Sequence, residues 1–161
     1  DNTIISGNIQ FLDSTYDELV LISDPGRGRF GCASLGVTDG VESYDCAGKS
    51  LMYSPDFGAD LNINHIIPLA NYELSLTGNV SHRSEQQTNF LFLDATEADS
   101  YTTLNLDATL FSANGRWAVS AFIRNVTDER YLTNTNVSNR GLSYGIYSPP
   151  QTYGLRVRAD F

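Results

Sequence analysis

The chain has 161 residues, a formal net charge of −9 and 41% hydrophobic residues, among them nine Tyr, eight Phe and one Trp. The hydrophobic content argues against a disordered chain, and the acidic balance argues against a nucleic-acid partner, which would require clustered Lys and Arg. No run approaches the ~20 consecutive apolar residues of a membrane helix.

Six runs alternate apolar and polar residues, and this period of two is typical of β-strands. In chain order the predicted strands are Ile4–Leu12, Phe57–His65, Tyr72–Val80, Thr102–Leu110, Trp117–Arg124 and Tyr153–Phe161. The first run alternates least regularly. Short turns at 68–71 and 112–116 close two hairpins, and the second turn contains Asn-Gly, a strong signal for a tight turn.

Three long connections, 17–55, 84–100 and 126–151, alternate with the two short turns and are rich in Gly, Ser, Asn, Asp and Thr. Long loops on one side and short turns on the other are typical of a transmembrane β-barrel. Loops carry much of the binding specificity of proteins, so Tyr131, Tyr144 and Tyr147 are candidates for packing against a bulky ligand. Packing of these tyrosines against other loops is the alternative.

The two cysteines, Cys32 and Cys46, lie in one Gly-rich stretch that we expect to be poor in strands. Because they are isolated and share a loop, we predict a disulfide that pins this loop in an oxidising compartment. The alternatives are two free thiols or a metal pair, and only His65 and His82, both distant in sequence, could complete a metal site. The acidic clusters in the loops are interpreted as solvated, with a site for a divalent cation or a cationic ligand as the alternative.

Strand length and aromatic placement favour a membrane sheet over a soluble β-sandwich or lectin-like domain. The runs approach the about 9–11 residues that a tilted membrane strand needs, whereas soluble strands average about 5–6. Tyr72, Trp117 and Phe161 fall at one predicted rim, and Phe57 and Tyr153 fall at the other, as expected for aromatic girdles at a lipid–water boundary.

The polar face of the predicted sheet carries charges that a wet barrel lumen would accommodate and where opposite charges can pair. These residues are Asp60, Glu73, Asp107, Arg124, Arg156 and Arg158. Six strands are too few to close, because small barrels need about eight. The open edges therefore require either further strands of a larger barrel or self-association with copies of the chain.

No catalytic constellation is visible: the sequence has no phosphate-binding Gly loop, no nucleophile elbow and no His with metal-ligand spacing. We therefore predict a protein that is not an enzyme, with no catalytic residue, no bound metal and no cofactor.

Two segments resemble the end of the barrel of TonB-dependent receptors. The stretch 110–131 resembles the family's penultimate hairpin, most recognisably in Arg124-Asn-Val-Thr-Asp128 followed by Tyr131. The stretch 149–157, with a terminal aromatic at Phe161, resembles the final strand, and 47–55 resembles the entry to an earlier strand that follows a loop often carrying a cysteine pair. The resemblance covers nearly the whole chain.

The resemblance implies an all-β, antiparallel transmembrane β-barrel segment, with residues 1–161 forming the C-terminal part of a 22-stranded barrel. It implies that the plug, the earlier strands and the segment that contacts TonB lie outside this chain. It further implies a Gram-negative outer membrane, extracellular loops and import of a scarce nutrient such as a siderophore, cobalamin or glycan. The alternative function is a structural or self-assembling β-sheet fragment.

The resemblance also assigns partners and an assembly signal. The partners are outer-membrane lipid, the barrel-assembly machinery and the remainder of the receptor. The assembly machinery is expected to read the last strand through Phe161 and the apolar stripe Val157, Leu155 and Tyr153.

Overall fold

The structure, a computed structural model, describes residues 2–25, 30–137 and 143–160, and its regular secondary structure consists almost wholly of antiparallel strands. The strands are β1 Thr3–Phe11, β2 Val20–Ser23, β3 Ala33–Thr38, β4 Val41–Asp45, β5 Phe57–Leu69, β6 Tyr72–Arg83, β7 Gln86–Gln87, β8 Glu97–Ala98, β9 Tyr101–Ser112, β10 Trp117–Arg124, β11 Leu132–Val137, β12 Ser143–Tyr147 and β13 Thr152–Ala159. The single helix of the described part is a 3-10 turn at Asp94–Thr96. The described residues contain no helix that is long and apolar enough to cross a membrane.

The six predicted strands form one sheet in the order β1-β5-β6-β9-β10-β13, with every neighbouring pair antiparallel. The prediction of six alternating strands is therefore confirmed, including the least regular one, β1. Strand β13 ends at Ala159, before the predicted end of this strand at Phe161, and Phe161 itself lies outside the described residues. The strands β5, β6 and β9 have 12 or 13 residues, longer than the sequence pattern predicted.

The first turn is tighter than predicted. Pro68 and Leu69 still pair with β6, so only Ala70 and Asn71 connect the two strands. Ala70 has a positive φ of 28°, a conformation that side chains other than glycine adopt infrequently. The second turn follows the prediction, with Gly115 at a φ of +69°.

The expectation that the stretch holding Cys32 and Cys46 is poor in strands is wrong, and short strands also occur in the other two long connections. The first connection folds into a three-stranded sheet in the order β2-β4-β3, the second contains the β7–β8 pair, and the third contains the β11–β12 hairpin. The period-two signal is weak there because these strands are short, and a β-bulge interrupts the register between Ser34 and Gly36.

The buried apolar side chains lie in the connections and not in the main sheet. Tyr44, Cys46, Phe92 and Ala98 are buried, and none of them belongs to the six long strands. Within the described residues no second layer covers either face of the six-stranded sheet, which is the opposite of a β-sandwich.

Candidate functional site

The two faces of the six-stranded sheet differ in chemistry. Residues along a strand alternate between the faces, and the register pairs apolar residues with apolar residues on neighbouring strands. One cross-strand row joins Ile5, Ile63, Gly78, Leu106, Ile123 and Tyr153, and another joins Ile67, Leu74, Leu110, Val119 and Val157. We call this surface the apolar face. It is continuous across all six strands, as the alternation predicted.

Aromatic rings gather at both ends of the apolar face. Tyr72 and Trp117 are 5.8 Å apart at the short-turn end, and Phe11 and Phe57 are 5.2 Å apart at the long-loop end. Tyr153 is paired with Ile123, several residue pairs inside the Phe57 row. Its place at the same rim as Phe57 therefore depends on a tilt of the strands.

The two histidines lie on the apolar face, where each bonds a threonine of the same cross-strand pair. Thr3 Oγ1 is 2.7 Å from His65 Nδ1, and Thr102 Oγ1 is 2.8 Å from His82 Nδ1. His82 also lies 5.7 Å from the ring of Phe57 at the long-loop end. Each imidazole therefore has a polar partner within the sheet, as expected for polar groups at an apolar surface.

The opposite surface, which we call the polar face, holds two ion pairs between strands of the sheet. Arg83 donates to both carboxylate oxygens of Asp60 at 3.1 and 3.2 Å, and the Ser81 hydroxyl bonds the same carboxylate at 2.7 Å. Arg124 binds Asp107 in the same two-pronged way at 2.6 and 2.8 Å. The side chains of these pairs are 30% to 42% exposed, so each pair contributes no more than about 1 kcal/mol.

The large aromatic side chain of Phe122 lies on the polar face, and the structure shows how it is accommodated there. Its ring lies over the backbone of Gly154, where an added Cβ would be only 2.6 Å from the ring. The guanidinium groups of Arg124 and Arg156 flank the ring at 5.2 and 6.0 Å from its centre. The ring of Phe122 on β10 therefore packs on β13 in the space that Gly154 leaves free, and the two arginines cover the ring from water.

The motif that carried the family resemblance, Arg124 to Asp128, lies at the base of the third connection. Asn125, buried with a positive φ of 51°, donates to the carbonyls of Glu129 and Pro149 and accepts from the Glu129 amide. Asp128 accepts from the Gln151 amide at 2.7 Å, which closes the base of the loop. Asn and Asp tolerate this backbone conformation and form hydrogen bonds with nearby amides, so the motif stabilises the base of the third connection.

The disulfide prediction is confirmed, because Cys32 and Cys46 are joined with their Cα atoms 5.0 Å apart. Cys46 is fully buried beside Tyr44 and Phe92, and other loop residues pack around them. We call this group the loop cluster; its partly buried members are Tyr16, Leu19, Leu21, Phe30 and Cys32.

The three candidate ligand-contacting tyrosines lie in the third connection, but the structure does not bring them together. Tyr131 stacks on Tyr101 with ring centres 3.6 Å apart and planes 2° apart. Tyr144 and Tyr147 are more than half exposed, and their odd separation along β12 places them on opposite faces of the hairpin. Tyr131 therefore takes part in packing at the loop base, while the other two are open to a ligand.

The apolar stripe of the last strand is the most exposed part of the sheet. Tyr153, Leu155 and Val157 lie on the apolar face of β13, which pairs only with β10 and leaves its other edge open. The assembly role predicted for these residues and for Phe161 stays a prediction. In the described ranges, no three His, Cys, Asp or Glu side chains are grouped so as to hold a metal ion.

The solved structures include similar folds. The ferric preacinetobactin receptor BauA from Acinetobacter baumannii matches 71% of this chain at 24% identity with a TM-score of 0.59. The ferric yersiniabactin uptake receptor FyuA from Yersinia pestis matches 75% of it at 20% identity, also with a TM-score of 0.59. No family model matches the chain, and no curated protein matches it in sequence.

These likenesses confirm, at the level of the fold, the predicted resemblance to a receptor-barrel segment. The chain spans 16% of the length of BauA and 20% of that of FyuA. Its sheet therefore corresponds to a fraction of a barrel wall.

Proposed function

We propose that this chain is a wall segment of an outer-membrane transport barrel, with the apolar face toward lipid and the polar face toward a wet lumen. The uncovered apolar face carries the proposal, because a soluble antiparallel sheet packs its apolar side against a second layer. In a bilayer the same surface is matched by hydrocarbon, and the paired charges of the polar face meet water.

The hydrogen-bonded pairing of the strand backbones supports the same placement in a membrane barrel. A membrane sheet must satisfy its amides and carbonyls internally, and each of the four inner strands pairs on both sides. The outer strands of the six-stranded sheet, β1 and β13, each have one open edge within the described residues, and both edges must be paired in lipid. We infer that further strands of the same protein pair with them, that a plug fills the lumen and that TonB is reached through an N-terminal part.

The experiment that tests this placement is extraction from isolated membranes. We expect the protein that carries this chain to stay in the membrane pellet after high-salt and alkaline washes, and to be released by detergent. Release by the washes alone would contradict the proposal.

The proposed cargo is a scarce nutrient in the form of a ferric chelate. Support comes from the two similar structures, both of which are named for ferric ligands. Tyr144 and Tyr147 offer exposed aromatic surface on the third connection, where a bulky chelate would approach the barrel.

The cargo proposal is tested by titrating ferric chelates into the purified complete protein in detergent. We expect Tyr144→Ala or Tyr147→Ala to weaken binding severalfold. Tyr72→Ala, which removes an exposed tyrosine at the opposite end of the sheet, should leave it unchanged per folded barrel. Unchanged binding in both loop variants would remove these residues from the ligand surface.

A second candidate function is a self-assembling sheet. The six strands alternate in direction, so β13 of one copy would meet β1 of the next in antiparallel orientation with the apolar faces aligned. The intact mass of the natural polypeptide separates the two candidates. A mass far above 17.7 kDa favours the receptor, and a mass at that value favours the assembling fragment.

A further inference from the structure

The second connection inserts one side chain deep into the first. Phe92 is 2% exposed and packs in the loop cluster, with its ring 6.2 Å from that of Tyr16 in an edge-on arrangement. Its backbone has a φ of +53°, which is uncommon for a bulky residue. Such a conformation persists only where the surroundings over-determine it, and the buried ring is what holds it here.

The backbones of the two connections touch beside the disulfide. The Gly31 amide donates to the Leu91 carbonyl at 2.8 Å. A Cβ on Gly31 would lie 1.6 Å from the Phe92 carbonyl oxygen, so only glycine fits between Phe30 and Cys32. The disulfide therefore fixes the strand end against which the Phe92 turn lies.

The other side of the same turn is tied to the third connection. The hydroxyls of Thr88 and Thr135, both buried, are 2.8 Å apart, and the Thr88 hydroxyl also donates to the Thr96 carbonyl. Asn89 donates to the Thr135 carbonyl at 3.0 Å and accepts from the Leu91 amide. One short segment, 88–92, thus contacts the first connection through Phe92 and the β11–β12 hairpin through Thr88 and Asn89.

We propose that Phe92 couples the local stability of the three long connections. Through this coupling the disulfide in the first connection stabilises the β11–β12 hairpin of the third. Among the described residues, Asn134 of the hairpin also donates to the Tyr53 hydroxyl at 3.1 Å, and the Tyr53 amide donates to the Gln87 carbonyl at 2.9 Å. The Asn134 bond is exposed to water, and a single hydrogen bond contributes less than the burial of an aromatic ring. The coupling runs through Phe92, and it does not depend on any ligand.

The test is hydrogen–deuterium exchange of the complete protein in its membrane, comparing Phe92→Ala with Phe90→Ala. Phe90 is the same residue type two positions away and is 52% exposed, so it controls for loss of a phenyl ring from this loop. In Phe92→Ala we expect exchange to accelerate at least about tenfold in peptides covering 30–46, 86–98 and 131–137. Exchange in the six long strands should stay unchanged, which excludes general misfolding.

Two further variants fix the direction of the coupling. The pair Cys32→Ala and Cys46→Ala should reproduce the Phe92→Ala pattern, including the faster exchange at 131–137. Thr135→Val should accelerate exchange at 131–137 and leave 30–46 protected, since Phe92 stays in place. The proposal is overturned if Phe92→Ala leaves 131–137 protected, or if Phe90→Ala has an equal effect. Because ligand binding is not measured, these outcomes are independent of the proposed transport function.

Discussion

Placing a positive charge on either face of one strand tests which face meets lipid. Leu76 lies on the apolar face near the middle of β6, and the next residue, Thr77, lies on the polar face. The proposed variants are Leu76→Arg and Thr77→Arg. They add the same side chain at almost the same depth, so only the face differs.

The expected costs of the two variants in unfolding free energy differ by about 1–3 kcal/mol, a factor of roughly five to a hundred in the folding equilibrium. An arginine on the lipid face near the midplane of a barrel costs about 2–4 kcal/mol. Thr77→Arg removes one acceptor of the Asn64 amide, which keeps Ser75 as a second, so the loss is about 1 kcal/mol. Thr77 is also the cross-strand partner of Asp107, and a new cation there faces a carboxylate. A difference of 1.4 kcal/mol is a factor of ten in the folding equilibrium.

The assay is urea unfolding of the complete protein in liposomes, with heat-modifiable gel mobility as a check on assembly. Leu76→Arg should lower the free energy of unfolding by about 2–4 kcal/mol, and Thr77→Arg by about 1 kcal/mol or less. Equal destabilisation by the two variants, or a larger effect at Thr77, would refute the assignment of the faces.

Three other changes test the contacts that hold the last strand and the third connection. Gly154→Ala should lose about 1–3 kcal/mol of stability in the same urea titration, because the new methyl meets the Phe122 ring, and Phe122→Ala should relieve part of that loss. On the strand tilt that places Tyr153 at the same rim as Phe57, Val157→Arg should impair assembly into heat-modifiable barrels more than Tyr153→Arg, since cations cost less near an interface; the reverse order would contradict that tilt. Asn125→Ala should cost about 1–3 kcal/mol and accelerate hydrogen exchange at the base of the third connection, and unchanged exchange would show that this base is held elsewhere.

The main sheet could be predicted from the sequence because its signal is local. Alternation of the kind seen from Tyr72 to Val80 places side chains on two faces whatever the strand's partners are. The two short turns then set which strands are neighbours, and the structure pairs them as predicted. The boundaries were less predictable, because Pro68 reads as a turn residue but lies at the last rows of β5, where it pairs with Glu73.

The contacts among the three long connections were not predictable in the same way, because they join residues that are far apart in sequence. Phe92 and Phe90 look equivalent in the sequence, yet one is buried in the loop cluster and the other is exposed. The stacking of Tyr131 on Tyr101 is likewise invisible in any local pattern. The exceptions are the Cys32–Cys46 disulfide, predicted because the two cysteines are isolated and share a loop, and Asn125, which belongs to the motif that carried the resemblance.

The placement of the sheet in a bilayer is tested most directly by a nitroxide scan along β6 in the reconstituted complete protein. Accessibility to oxygen, which concentrates in lipid, and to a water-soluble nickel chelate would be measured at each position from 74 to 80. We predict oxygen maxima at the even positions, which carry Leu74, Leu76, Gly78 and Val80, and nickel maxima at the odd ones. Uniform exposure to the nickel chelate, or alternation in the opposite phase, would contradict the membrane barrel.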